Sequence, residues 1–239
     1  MSTLPPLAGQ VALITGASRG IGLAIARRLG EMGAQLAICG REAHALEHAR
    51  EALRRAGYET LAVPADVTRR AEVDTLVKRT NEALGEIEML VNNAGVGVFA
   101  PLHELREEDW DRVMDTNLKG VYLCSRAVAP QMIRRRRGHI INIASLAGKN
   151  AFAGGGVYCA SKWGLLGLTR CLAEDLRGHG IRVSAICPGT VATEFSPHAG
   201  KDPQKMLQPE DVAHAVEMLL TQAPQSFISE VELRPTQKP

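Results

Sequence analysis

Short apolar runs alternate with longer amphipathic stretches along most of this 239-residue chain. The runs fall near residues 10–15, 35–40, 60–64, 89–92, 140–144 and 183–187, with a short last one at 231–233. They are apolar at consecutive positions, the pattern of strands buried on both faces. The intervals carry apolar residues at helical spacing, with long segments over 106–134 and 157–177. Such alternation predicts an α/β fold, a doubly wound parallel sheet of about seven strands with helices on both faces. Right-handed crossovers then place the ligand crevice at the C-terminal ends of the strands. Asn92 ends the fourth run, Ser145 follows the fifth and Pro188 follows the sixth, so all three map to that edge. No linker or internal repeat divides the chain, which reads as one domain over 1–239 with an N-terminal arm at 1–8.

Two motifs carry chemistry. The first apolar run leads directly into Thr15-Gly16-Ala17-Ser18-Arg19-Gly20-Ile21-Gly22, and residues 23–29 then read as a helix. Strand, glycine turn and helix together form the context of a dinucleotide site. The glycines let the backbone approach a pyrophosphate, and the helix N-terminus offers it free N–H groups. The spacing is Gly-x-x-x-Gly-x-Gly rather than the commoner Gly-x-Gly-x-x-Gly. The second motif is Tyr158-Cys159-Ala160-Ser161-Lys162, with Ser145 at the end of the apolar run 139–144. Positions i and i+4 share a helix face, so the lysine is expected beside the phenol. A neighbouring cation favours phenolate, so the Tyr158 pKa is expected to fall below its usual ~10. A phenol tuned in that way suits proton transfer to a carbonyl. A Tyr-x-x-x-Lys pair is common by chance, and it is the glycine turn that gives this one weight.

With these residues in order, the chain resembles the short-chain dehydrogenase/reductases, a Rossmann-fold family of NAD(P)-dependent enzymes. The resemblance rests on the 15–22 turn, Asp66, Asn92-Asn93-Ala94-Gly95, Asn117, Ser145, Tyr158, Lys162, Pro188-Gly189 and Thr193. It implies an oxidoreductase moving hydride between nicotinamide and a small carbonyl or secondary alcohol. Asn117, Ser145, Tyr158 and Lys162 would form the catalytic set. Asn117 would hold a water that relays protons towards the lysine, and Lys162 would also bind the nicotinamide ribose. The resemblance further implies a cofactor site of Gly16, Ser18, Arg19, Gly20, Ile21, Gly22, Arg41, Asp66, Val67, Asn93, Ala94, Gly95, Pro188, Gly189, Val191 and Thr193. Asp66 would bond the adenine amino group, although it also reads as a cap for Thr68. Residues 194–208 match the family's substrate lid, and their short polar character argues for a modest pocket. The ending 228–235 lacks the Asp-Gly-Gly of many acyl-carrier-protein ketoreductases and looks more like relatives acting on small 3-hydroxy acids.

Cofactor choice turns on the end of the second run, Ala37-Ile38-Cys39-Gly40-Arg41. An NAD site usually places an acid there, whereas a 2′-phosphate calls for arginine. Arg19 and Arg41 could clamp that phosphate from two sides. NADP(H) is therefore the expected cofactor, and Glu42 one step beyond keeps NAD(H) open. An NAD-dependent alcohol dehydrogenase of the same family is one alternative. A non-catalytic dinucleotide sensor is another, disfavoured because a sensor has no need of a proton donor.

Composition narrows the remaining classes. An apolar fraction of 45% and a charged fraction of 23% are those of a globular domain. A net charge of +2 and 4% aromatics give no footprint for a nucleic-acid partner. The run Arg134-Arg135-Arg136-Arg137 reads as a solvated helix end. No apolar run reaches the ~20 residues that span a bilayer, and the start carries no signal core. Five scattered cysteines and seven histidines without ligand spacing suggest reduced thiols, no metal and a cytoplasmic location. Apolar positions on more than one face of the 106–134 and 157–177 helices point to a homodimer or homotetramer.

Overall fold

In the computed structural model, residues 5–195 and 202–239 are described. Each apolar run becomes a strand: β1 (Val11–Thr15), β2 (Gln35–Gly40), β3 (Thr60–Pro64), β4 (Ile87–Asn92), β5 (Gly138–Ile143), β6 (Ile181–Pro188) and β7 (Glu230–Leu233). They form one parallel sheet in the order β3-β2-β1-β4-β5-β6-β7. The order reverses between β1 and β4, so a crevice opens between their C-terminal ends.

Side chains alternate across the sheet, and each face buries its own layer. Ala12, Ile14, Leu36, Ile38, Met89, Val91, Ile141 and Ile143 pack under helices α1 (Gly20–Glu31), α2 (Ala43–Arg55) and, late in the chain, a helix over Pro209–Leu220. Val11, Leu13, Ala37, Leu90, Ile140 and Val183 pack against the other side, under α3 (Arg70–Leu84) and two long helices described next. This two-sided burial is why the central strands are largely apolar rather than alternating. At the N-terminal arm, Leu7 is buried and its N–H donates to Met32 O at 2.9 Å.

The segment expected as one helix over 106–134 is two, α4 (Glu107–Met114) and α5 (Gly120–Arg135), joined by a π turn over Asp115–Lys119. Single π turns recur at functional sites because they re-aim side chains. Here the turn directs Asn117 away from its own helix and into the loop after β4. Helix α6 (Gly156–Arg177) follows β5, and α7 (Pro209–Leu220) completes the count.

A buried polar network sits beneath the strand ends. Asn92 Nδ2 donates to Asn142 Oδ1 at 2.9 Å and to Ser125 Oγ at 3.2 Å, and Asn142 Nδ2 donates to Thr169 Oγ1 at 2.9 Å. It links β4, β5, α5 and α6 through bonds strengthened by their dry surroundings. The arginine run acquires local partners: Arg134 pairs with Glu86, Arg135 with Glu86 and Glu88, and Arg137 with Glu88. Among the described residues, no helix is long and apolar enough to cross a membrane.

Candidate active site

The glycine turn leaves β1 and enters α1 with Gly16 at φ 63° and Gly20 at φ 55°, conformations that glycine adopts without strain. Gly22 is needed for space. A Cβ there would stand 2.4 Å from Gly16 O and 2.5 Å from Asn93 Nδ2. Arg19 occupies the N-cap of α1, and no side chain caps the first turn. The free N–H groups and the helix dipole therefore face the crevice, where they suit a pyrophosphate.

The loop after β4 is fastened to this turn by four hydrogen bonds, and a fifth reaches β4 itself. Thr15 Oγ1 accepts from the N–H groups of Asn93 and Ala94, both at 3.0 Å, and donates to Val91 O at 3.4 Å. The Asn93 amide donates to Thr15 O and Gly16 O, both at 3.0 Å.

One end of the crevice lies beyond β2 and β3 and is lined by Arg41, Glu42 and Asp66. Asp66 Oδ1 accepts from the N–H and hydroxyl of Thr68 at 2.9 and 2.8 Å, so the capping role is present. Partial burial pushes this carboxyl up, but the Thr68 bonds and the charges of Arg41 and Arg69 outweigh it and leave the pKa below the ordinary value. The exposed Arg19 guanidinium lies 3.3 Å from the Glu194 carboxylate, a pairing that sequence reasoning missed.

At the other end stand Ser145, Tyr158 and Lys162. Ser145 caps the turn Leu146–Gly148, its Oγ accepting from Ala147 N at 3.1 Å, and it also hydrogen-bonds the Tyr158 phenol. Lys149, just past the turn, pairs with Glu230 and Glu232 and ties this corner to β7. Lys162 donates to Ile143 O at 2.9 Å, and its ammonium is 5.9 Å from the centre of the Tyr158 ring.

The expected depression of the Tyr158 pKa is not found here. Burial pushes the phenol up to about 12, against a lesser downward pull from Ser145. The same burial pushes Lys162 down to about 8, with only partial relief from Cys187. Desolvation disfavours the charged form of each, and here it exceeds any benefit each draws from the other.

Asn117 differs from expectation in placement. Its Oδ1 accepts from Val96 N at 2.8 Å, and its Nδ2 donates to Val96 O at 2.9 Å and to Ser161 Oγ at 3.0 Å. It holds the loop after β4 from behind rather than lining the cavity.

One cavity of about 1400 Å³ joins both ends. That exceeds the ~300–1,000 Å³ of an ordinary ligand pocket and leaves room for dinucleotide and substrate together. Every residue expected at the site lines it except Gly22 and Asn117, which act from behind the wall. Sequence reasoning missed Phe99, Phe152 and Phe195, and also the tail residues 234–239, which line it too. Each phenylalanine lies in a loop after β4, β5 or β6, and that position was the available signal. Of the region matched to a lid, residues 196–201 lie outside the described residues. Its root is a parallel bridge between Val191 and Leu207, with Ala192 N donating to Leu207 O at 2.8 Å and Leu207 N to Thr190 O at 3.0 Å.

Known proteins share the sequence pattern and the fold of this chain. The family model for short chain dehydrogenase matches residues 10–204. A 3-oxoacyl-[acyl-carrier-protein] reductase of Synechocystis sp. is 37% identical, with 93% of this chain and 94% of that protein covered. Glycine betaine reductase ATRR of Emericella nidulans is 35% identical over all of this chain, which spans only 20% of that protein's length. A metagenomic short-chain oxidoreductase solved in complex with NADP superposes with a TM-score of 0.87 at 45% identity, covering 98% of this chain and 100% of that one. The chain belongs to the short-chain dehydrogenase/reductase family. It is an NAD(P)-dependent oxidoreductase.

Burial of Lys162 has a consequence for stability. The unfolded chain keeps this ammonium charged up to its ordinary value of 10.5, but the folded chain only up to about 8. Between those values the unfolded state binds more protons, so stability rises with pH across the window, and below it the fold bears the full cost of a buried charge. Lys162→Met removes that cost. Thermal denaturation near pH ~7 should show the variant more stable than its parent, with the gain shrinking towards pH ~10. A variant less stable than its parent near neutrality would contradict this.

Proposed function

We propose that this chain reduces a small carbonyl compound with NADPH, or oxidises the matching secondary alcohol, with Tyr158 as the acid/base. The observation that carries the reading is the meeting of Ser145, Tyr158 and Lys162 in one cavity with an uncapped helix N-terminus at its other end. NADPH supplies a hydride to the carbonyl carbon when bound and is left as NADP⁺. Tyr158 gives its proton to the carbonyl oxygen, so the product is a neutral alcohol. Ser145 donates a hydrogen bond to the same oxygen as negative charge grows on it. Lys162 stabilises the tyrosinate left behind, and a water held at the π turn beside Asn117 passes a replacement proton towards Lys162. Residues 194–208 act as the lid over the substrate. The candidate substrates are ketones, 3-oxoacyl compounds and 3-hydroxy acids, and the similarity to a 3-oxoacyl reductase supports that range. Free, mostly buried thiols agree with a cytoplasmic setting.

The preference for NADPH rests on Arg19, Arg41 and the lack of an acid at the end of β2. The NADP held by the similar metagenomic enzyme supports it. Glu42 lines the same end of the cavity and is the one feature that favours NAD.

Helices α5 and α6 leave Tyr122 49% and Trp163 55% exposed. Large apolar surfaces of this sort are usually covered by a partner. A homodimer pairing these helices would cover them, and a tetramer would extend the same scheme.

Three measurements test these readings. Tyr158→Phe should lower kcat by about 10²- to 10⁴-fold while NADPH still binds, and substantial residual turnover would remove Tyr158 from its role. Replacing Arg19 and Arg41 together by alanine should weaken NADPH by at least about tenfold and leave NADH nearly unchanged, because only NADPH carries the 2′-phosphate. Equal loss of both cofactors would make these arginines packing residues. Light scattering at low micromolar concentration should give at least a dimer mass, and a clean monomer would sink the pairing.

A further inference from the structure

The chain contains four phenylalanines: two pack on the ring of Tyr158, and a third packs on one of those two. Phe99 meets the Tyr158 ring edge-on, with centres 5.4 Å apart at 67°. Phe195 approaches from another side at 5.8 Å, and Phe152 stands behind Phe99 at 6.0 Å. The three rings come from loops after three different strands, so local sequence does not account for their meeting. All three are partly open to the cavity, at 38%, 48% and 42% exposed for Phe99, Phe152 and Phe195.

The backbone beneath the rings is cleared for them. A Cβ on Gly97 would lie 2.9 Å from Phe99 Cζ and 3.1 Å from Phe195 Cε1, and one on Gly155 would lie 2.6 Å from Phe152 Cζ. Gly97 is not among the positive-φ glycines, and Gly155 has φ −90°, so neither is required by a left-handed turn. What they provide is a floor on which aromatic rings lie flat. Of the charged groups of the described lining, Lys162 stands near the rings, 5.9 Å from the centre of Tyr158 and donating to Ile143 O, and the others are paired or lie further off. Arg41, Glu42 and Asp66 are at the end beyond β2 and β3, Arg19 pairs with Glu194, and Arg234 pairs with Glu232 at 2.9 Å.

We propose that the carbonyl substrate of this chain carries an aryl group beside its carbonyl carbon, seated among Phe99, Phe152 and Phe195. This rests on the carbonyl-reductase reading above and narrows it. The exposed ring faces are apolar surface left in water, and a flat aromatic partner covers them while adding edge-to-face and offset contacts that an aliphatic group lacks. A carboxylate in the same place would lose its hydration against apolar rings, and the nearest ammonium, Lys162, already donates to Ile143 O. The proposal thus favours aryl ketones over aliphatic ketones of equal size and over 3-oxo acids, and Lys162 and Lys238 are the lining cations that would argue otherwise.

The test compares phenyl methyl ketone, cyclohexyl methyl ketone and 3-oxobutanoate as substrates with NADPH. It also measures binding of the unreactive pair benzamide and cyclohexanecarboxamide to the NADP⁺-loaded enzyme by calorimetry. The phenyl ketone should lead the cyclohexyl ketone in kcat/KM by about 3- to 10-fold, and benzamide should bind tighter by a similar factor. Phe99→Leu and Phe195→Leu should each erase most of that ratio through KM while NADPH affinity stays unchanged. Equal or better use of the cyclohexyl ketone or of 3-oxobutanoate overturns the aryl assignment, as does benzamide binding no tighter than its saturated counterpart. Reduction of none of the three compounds, with benzamide still preferred, instead overturns the carbonyl-reductase reading and leaves the aromatic site standing.

Discussion

The clamp between Thr15 and Asn93 is the constraint on which the site depends. Strand order reverses between β1 and β4, and nothing in a parallel ladder fixes how the chain leaves two such strands. Here the Thr15 hydroxyl and the Asn93 amide hold both exits together through hydrogen bonds of 3.0 Å. Each bond contributes only about 0.5–1.5 kcal/mol net. Their geometric effect is larger. They bring the backbone of Ala94 so close to Gly16 that a Cβ there would sit 2.8 Å from Ala94 Cα. The glycine turn is therefore a seam between two strand ends as well as a cradle for phosphate. Val96 then follows from the seam under the hold of Asn117, and Gly97 and Phe99 follow Val96.

The reaction end is organised against stability. Lys162 and Tyr158 are both buried, and burial moves each pKa in the direction that opposes its charged form. The fold tolerates this because neighbours hold the two groups in place. Ile143 O accepts from the ammonium, Ser145 bonds the phenol, and Ser161 fixes the main chain at Tyr158. A phenol that stays protonated in the resting site suits the donor role proposed for Tyr158, and in that proposal the lysine acts afterwards, on the charge the phenol leaves behind.

Much of this was legible in the sequence. The runs at 35–40 and 60–64 became β2 and β3 with the same bounds, because strands of a sheet covered by helices are largely apolar at consecutive positions. Ser145, Tyr158 and Lys162 were legible because their meeting is fixed by a strand end and one helical turn. The π turn at 115–119 was not, since the weak helix formers Asp115, Thr116 and Asn117 fit an ordinary helix bearing a polar side chain as well as a π turn. The direction of the Tyr158 shift was misjudged for a related reason: spacing reports a neighbour and says nothing of how much water the fold removes. The pairing of Arg19 with Glu194 spans 175 positions of chain, and only tertiary structure creates it. The phenylalanines around Tyr158 are likewise a product of topology, which gathers the loops after β4, β5 and β6 at one edge.

The bridge between Val191 and Leu207 has a meaning for how this chain could change over generations. It staples the two ends of the intervening loop to each other, so the sheet and the cofactor end do not depend on what lies between them. Once a loop's ends are fixed, doubling its length adds only about 0.6 kcal/mol of closure entropy. Insertions and deletions between those ends are thus nearly neutral for folding. That stretch could vary one small step at a time, with Ser145, Tyr158 and Lys162 inherited intact.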